Sequence, residues 1–171
     1  MTVADQSRIL VLDANIMLRA VLGTRVRSLI ETYAEEVPLF IPLACLIEVQ
    51  DYLPSLCAKR NWDTAAALNL LDTLLALVRV VEHGFYSEFE IPAKRRIGAR
   101  DIDDWPVVAL ALALGAEIWT EDSDFFGPGV ATWTTETVEI YLRNDRWQIN
   151  EPPYRQYGTQ SISAGSALQR S

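Results

Sequence analysis

Histidine is almost absent from this sequence: His83 is the only one in 171 residues. That scarcity removes most of the usual general bases and transition-metal ligands, so any catalysis has to run mainly on carboxylates. Cysteine is nearly as scarce. Cys45 and Cys57 lie in apolar, helix-like sequence, and no second Cys or His pair stands at zinc spacing; both are expected to be buried, reduced core thiols. No apolar run is long and uncharged enough to span a bilayer. Residues 1–9 carry Asp5 and Arg8 and lack the apolar stretch of a secretory signal, so the expected location is cytoplasmic, with no membrane role. Positive charge is also in short supply, with a formal net charge of −8. A nucleic-acid partner is not thereby excluded, because the field depends on how charge is distributed. The bases bunch, in Arg19, Arg25 and Arg27 and again in Lys94, Arg95, Arg96 and Arg100.

What is present fits an ordinary globular protein: 50% of residues are hydrophobic and 22% charged. The length suits one domain with a substantial core, placed at residues 1–150. Residues 151–171 are rich in Pro, Ser, Gln and Gly without apolar periodicity, and read as a flexible or partner-docked tail. Along the domain, ILVLD at 9–13 is a short β run ending in an acid. A helical pattern follows over 14–33, with a break at Gly23 and Thr24. A strand is predicted at 39–41, then helices at 42–53 and 62–77 and a strand at 78–81. Residues 82–103 are the least regular stretch, either a functional loop or a segment hiding a short helix. A helix is predicted at 104–114, with Asp104 as N-cap and Gly115 as C-cap. Strands at 117–120 and 131–133 and a helix from Thr134 or Thr135 to Leu142 complete the pattern. Strands alternating with helices indicate an α/β/α sandwich around a short, mostly parallel sheet.

In such sheets ligands bind beyond the carboxyl ends of the strands. Asp13 ends the first strand, Asp122 follows the strand EIWT, Asp104 opens the helix before that strand, and Glu48 lies in the helix after the second strand. Each has an ordinary structural explanation. Asp13 and Asp104 can be helix caps, Asp122 and Asp124 Asx-turn formers, and Glu48 a solvated helix residue. The set carries the weight. Clustered carboxylates repel and are costly to desolvate, so they call for a cation, and all-oxygen ligands suit Mg²⁺ or Mn²⁺ better than zinc. With a phosphate substrate such an ion polarises the phosphoryl oxygen and activates water.

Three segments, VLDANIMLRA (11–20), PLACLIEV (42–49) and RDIDDWPVVALALALGAEIWTEDSDFF (100–126), resemble in this order the PIN-domain nucleases. The resemblance spans residues 9–142. It implies a compact α/β/α sandwich and divalent-metal-dependent hydrolysis of RNA phosphodiesters. By position, Asp13, Glu48, Asp104 and Asp122 match the family's acidic quartet, Asp124 a further acid, and Asn15 and Thr120 the polar residues that support the first and last acids. Asp101 and Asp103 remain alternatives to Asp104. Many members are toxins of toxin–antitoxin pairs, held silent by a small antitoxin and often dimeric. This sequence departs from the common pattern in its polar, basic 82–103 segment, in the bulky Trp105 and in its long tail.

Lys94, Arg95, Arg96 and Arg100, just before Asp104, are the first candidates for holding substrate phosphates; the other reading is a solvated loop. Arg19, Arg25 and Arg27 are weaker candidates. Trp62, Trp105, Trp133 and Trp147 suit core or interface roles more often than base stacking. The leading expectation is an Mg²⁺- or Mn²⁺-dependent ribonuclease. Against it stand a catalytically silent RNA-binding or interaction module of the same fold, and a phosphatase-like hydrolase with Asp13 as nucleophile. Asp13 is followed by Ala-Asn, with no second Asp two residues on, which weakens the last.

Overall fold

The computed structural model describes residues 8–143. Five short strands, β1 (Leu10–Leu12), β2 (Leu39–Pro42), β3 (Val78–Val81), β4 (Glu117–Trp119) and β5 (Thr132–Trp133), form one sheet in the order β3-β2-β1-β4-β5. Every pairing is parallel. All three residues of β1 are fully buried, as a central strand covered on both faces requires. The chain leaves β1 toward β2 on one side, whereas β4 lies on the other side of β1, in register Leu12↔Trp119. Strand order therefore reverses between β1 and β4, and the residues after each strand open onto one crevice.

Among the described residues, eight α-helices connect and cover the strands: α1 (Ala14–Leu22), α2 (Arg25–Tyr33), α3 (Leu43–Arg60), α4 (Thr64–Leu75), α5 (His83–Tyr86), α6 (Glu90–Ile97), α7 (Trp105–Leu114) and α8 (Val138–Leu142). Helices α1 to α4 pack on one another, and α5 and α6 pack on α7, which itself lies against β1, β2 and β4. Helix α7, WPVVALALAL, shows no polar face because Pro106 to Ala111 are buried throughout. No described helix is long and apolar enough to cross a membrane.

The predicted α/β/α sandwich with a mostly parallel sheet is what forms. The structure differs from the sequence reading at two helix ends, and at 82–103 it forms the hidden-helix alternative. Helix α3 runs on past residue 53 to Arg60, with Pro54 inside it. Pro54 and Gln50 are both exposed, so the Gln50 carbonyl that loses its amide partner faces water. Residues 82–103 are largely helical, in α5, a 3-10 turn at Ser87–Phe89, and α6. Helix α6 buries only Ala93 and Ile97, too few apolar positions to reveal it among Lys94, Arg95 and Arg96. The last helix starts at Val138 rather than at 134 or 135, because Thr134 and Thr137 are occupied in a turn. The tail assigned to 151–171 and Trp147 lie outside the described residues.

Candidate active site

Asp13 follows β1 and is only 4% exposed. Its backbone amide continues the sheet by donating to the Trp119 carbonyl (3.2 Å). On the neighbouring strand, fully buried Thr120 follows β4, and its hydroxyl donates to Asp13 Oδ2 at 2.9 Å. The same hydroxyl oxygen accepts from the Asp122 amide, also at 2.9 Å. One threonine thus joins the acids that end two adjacent parallel strands. Asp122 Oδ1 in turn accepts from the Asp124 amide (2.9 Å) and shapes the 3-10 turn Ser123–Phe125. Asp122 forms an Asx turn, and its charge also acts on Asp13 and Asp104, so the turn does not take it out of the acid cluster.

Asp104 stands at the N-cap position of α7, yet its side chain makes no capping bond. Its Oδ2 atom is buried and has no hydrogen-bond partner among the described residues. Capping therefore does not account for this carboxylate. Burial, followed by the charges of Asp13, Asp101, Asp122 and Glu48, pushes its pKa up to about 7. Asp13 is also raised, by burial first; the Thr120 hydroxyl and the amides of Ala14 and Asn15 pull it down without cancelling that effect. Glu48, on α3, is more exposed, but desolvation and the charges of Asp13, Asp101 and Asp103 raise it too. Asp101 and Asp103 are exposed, and Asp101 caps the 3-10 turn Ile102–Asp104 by accepting from the Asp103 amide (3.0 Å).

Asp13, Glu48 and Asp122, from three other parts of the chain, thus each act on Asp104 with like charge. Among the described residues no three His, Cys, Asp or Glu side chains close into a coordination shell. The donor set nevertheless fits a hard cation: every donor is oxygen, and a buried carboxylate oxygen lies among them without a partner. Asp13, Asp104 and Asp122 would hold it, with Glu48 near enough for its charge to act on Asp104; Asp124 joins them through its backbone amide, bonded to Asp122 Oδ1.

The family profile of the PIN domain matches residues 11–143. The chain belongs to the PIN-domain family. Among solved structures, PAE2754 from Pyrobaculum aerophilum aligns at TM-score 0.61 and 20% identity, over 80% of this chain and 90% of that one. VapBC2 from Rickettsia felis, bound to a DNA fragment from its promoter, aligns at 0.55 and 17% identity, over 74% and 98%. FitAcB from Neisseria gonorrhoeae aligns at 0.54 and 17%, also over 74% and 98%. At these identities the structures share the fold. No curated protein matches the chain with significance.

The basic residues of this PIN domain fall into two different situations. Lys94 pairs with Glu90 (2.5 Å) and lies 5.0 Å from the Trp105 ring centroid. Arg100 donates to the carbonyls of Ser123 (3.1 Å) and Asp124 (3.4 Å), and Arg96 to those of Pro128 and Gly129. These two guanidinium groups brace the loop that carries Asp122 and Asp124, while Arg95 is exposed. Arg19 and Arg25 instead line a cleft with Asn15, and Arg27 lines a neighbouring one.

Two neighbours of the site carried no functional signal in the sequence. Burial, followed by the charges of Asp13, Glu48 and Asp104, holds the Cys45 thiol well above its usual pKa. Its spacing of three residues from Glu48 on α3 was the available clue. His83 packs edge-on against Tyr86 and Trp105, the residue after Asp104, and lies 3.3 Å from Glu90.

Proposed function

We propose that this PIN domain hydrolyses RNA phosphodiester bonds with the help of a divalent cation, Mg²⁺ or Mn²⁺. The observation that carries the reading is the buried, partnerless Oδ2 of Asp104, in a carboxyl whose pKa is raised to about 7 by burial and four surrounding acids. Folding does not need such a group there, whereas a cation does. Held by Asp13, Asp104 and Asp122, such an ion would supply Lewis-acid polarisation of the phosphoryl group and charge for the departing oxygen.

The chain's own residues do the rest. Thr120 fixes Asp13 and Asp122 relative to one another through its two hydrogen bonds. Asp124 follows from the turn that Asp122 closes. Glu48 is the least buried of the quartet, which leaves it the most open to water and the candidate to accept a proton from the attacking water. Arg96 and Arg100 keep the loop bearing Asp122 and Asp124 in place.

The likeness in fold to VapBC2 and FitAcB supports a protein antitoxin as partner; a homodimer as the working form rests on the sequence resemblance alone. A cytoplasmic location belongs to the same reading. Co-expression with the product of a small upstream reading frame, followed by size-exclusion chromatography, tests the partner.

The function itself is tested on a mixed pool of structured and single-stranded RNA, with Mg²⁺, with Mn²⁺ and with EDTA. Asp13→Asn and Asp104→Asn are run alongside, with circular dichroism to establish folding. Metal-dependent cleavage lost in both variants is expected. RNA bound but uncut in every metal would instead assign the fold to a silent binding module.

A further inference from the structure

We propose that Arg19, Arg25 and Arg60 form a subsite for the backbone phosphates of the RNA segment flanking the scissile bond. The proposal rests on the ribonuclease reading above. It concerns a cleft of about 550 Å³, bounded by α1, the start of α2, the end of α3 and the residue after Thr120. The cleft adjoins the acids directly: Asn15 in its wall is two residues beyond Asp13, and Glu121 immediately precedes Asp122.

Arg19 follows Asn15 by four residues and so shares its face of α1. Arg25 opens α2, whose N-cap Thr24 makes no side-chain capping bond. Arg60 closes α3, with its guanidinium 5.9 Å from the exposed ring of Trp62. All three are exposed, and none is ion-paired among the described residues. In a chain with 23 acids and 15 bases, three arginines from three helices facing one cleft without an acidic partner need a reason. The cluster beside Asp104 is differently placed, because Lys94, Arg96 and Arg100 already bond to Glu90 and to loop carbonyls.

Two acids also line the cleft. Glu121 turns its carboxylate to the Thr135 amide (2.6 Å), and Glu136 is exposed at the rim. They confine an anion to the arginine side and leave a net positive wall. A guanidinium fork matches phosphate oxygens, and three such groups lining one cleft that adjoins a carboxylate cluster can take successive phosphates.

The test measures binding of a fluorescein-labelled single-stranded oligoribonucleotide across a salt series. It is done in the Asp13→Asn background with Mg²⁺, so that the strand stays whole. Replacing all three arginines by Gln is expected to make the slope of log K against log salt shallower by about 2, the loss of three phosphate contacts on single-stranded nucleic acid. Replacing them by Lys restores the slope, which a purely structural role would not do. In the otherwise native chain, the Gln replacements raise KM for RNA more than they lower kcat.

An unchanged slope in the Gln variant, with the native chain still cutting RNA, overturns the subsite and leaves the ribonuclease standing. Failure of the native chain both to bind and to cut RNA removes both. Arginine-dependent binding of poly-glutamate, with RNA binding indifferent to the substitutions, would assign the cleft to an acidic protein segment and overturn the proposal.

Discussion

Removing one charge should stabilise the cation-free protein while abolishing its activity. Asp104→Asn keeps the shape of the side chain and deletes the charge that Asp13, Asp101, Asp122 and Glu48 oppose. A pKa raised from 3.8 to about 7 corresponds, at roughly 1.36 kcal/mol per pH unit, to about 4 kcal/mol between the two protonation states. Solvent reaches this half-buried group, which reduces its effect on stability to roughly 1–2 kcal/mol. The folded state binds the Asp104 proton more tightly than the unfolded state does. Its contribution is therefore fully present below about pH 4 and is lost as pH rises through about 7. In EDTA at about pH 8 the Asn variant should melt above the native protein, by roughly 2–8 °C for a chain of this size. At about pH 5 most of that gap should close, because the native Asp104 is then protonated. With saturating Mg²⁺ the order should reverse, since the native site gains binding energy that the variant gives up. Thermal unfolding followed by circular dichroism at the two pH values, with and without Mg²⁺, measures all three. An Asn variant less stable than the native protein in EDTA at about pH 8 would refute the charge-repulsion account of the site.

Three further perturbations separate the roles of neighbouring groups. Thr120→Val removes the hydroxyl shared by Asp13 and the Asp122 amide; it should cost about 1–3 kcal/mol in urea unfolding and depress kcat, with Thr120→Ser recovering both. Arg100→Ala should leave the core intact but speed hydrogen exchange across 121–129, because its guanidinium holds the Ser123 and Asp124 carbonyls and packs over Gly127. Unchanged exchange there would show that the brace is idle. Leu12→Ala, in the fully buried central strand next to Asp13, should lose about 2–5 kcal/mol, seen as a lower urea midpoint at constant m.

Periodicity and punctuation revealed the elements wherever the local sequence and the tertiary setting agree. The run ILVLD reads as a strand ending in an acid because β1 is buried on both faces and stops where the site begins. Helix α7 was visible because Pro106 and Gly115 bracket an uninterrupted apolar segment. Helix α6 was hidden for the opposite reason, since Ala93 and Ile97 alone carry its packing and the rest of it is polar, with Lys94 paired to Glu90 and Arg96 directed at the loop carbonyls of Pro128 and Gly129. Pro54 misled because a proline ends a helix only where its lost hydrogen bond cannot be replaced, and here water is available.

For the site, sequence supplied candidates but not their roles. Asp at an N-cap position looks the same whether it caps or not, and only the absence of a capping bond separates the two for Asp104. The basic cluster at 94–100 illustrates a second limit, because charge spacing does not reveal that Arg96 and Arg100 are directed at backbone carbonyls.

Asp104 also shows which force governs the crevice. It sits at the positive end of α7, where a helix dipole stabilises a carboxylate by about 0.3–1 kcal/mol. That influence alone would lower its pKa by less than one unit. The pKa is instead raised to about 7, so desolvation and four like charges outweigh the dipole several-fold. Substituting any one of the acids by its amide would relieve the repulsion at almost no cost in packing. A fold that keeps all of them together, and uses Thr120 to hold two of them in place, is strained at one point for a reason that stability does not supply. The proposed divalent cation would supply that reason, because it would turn repelling carboxylates into ligands.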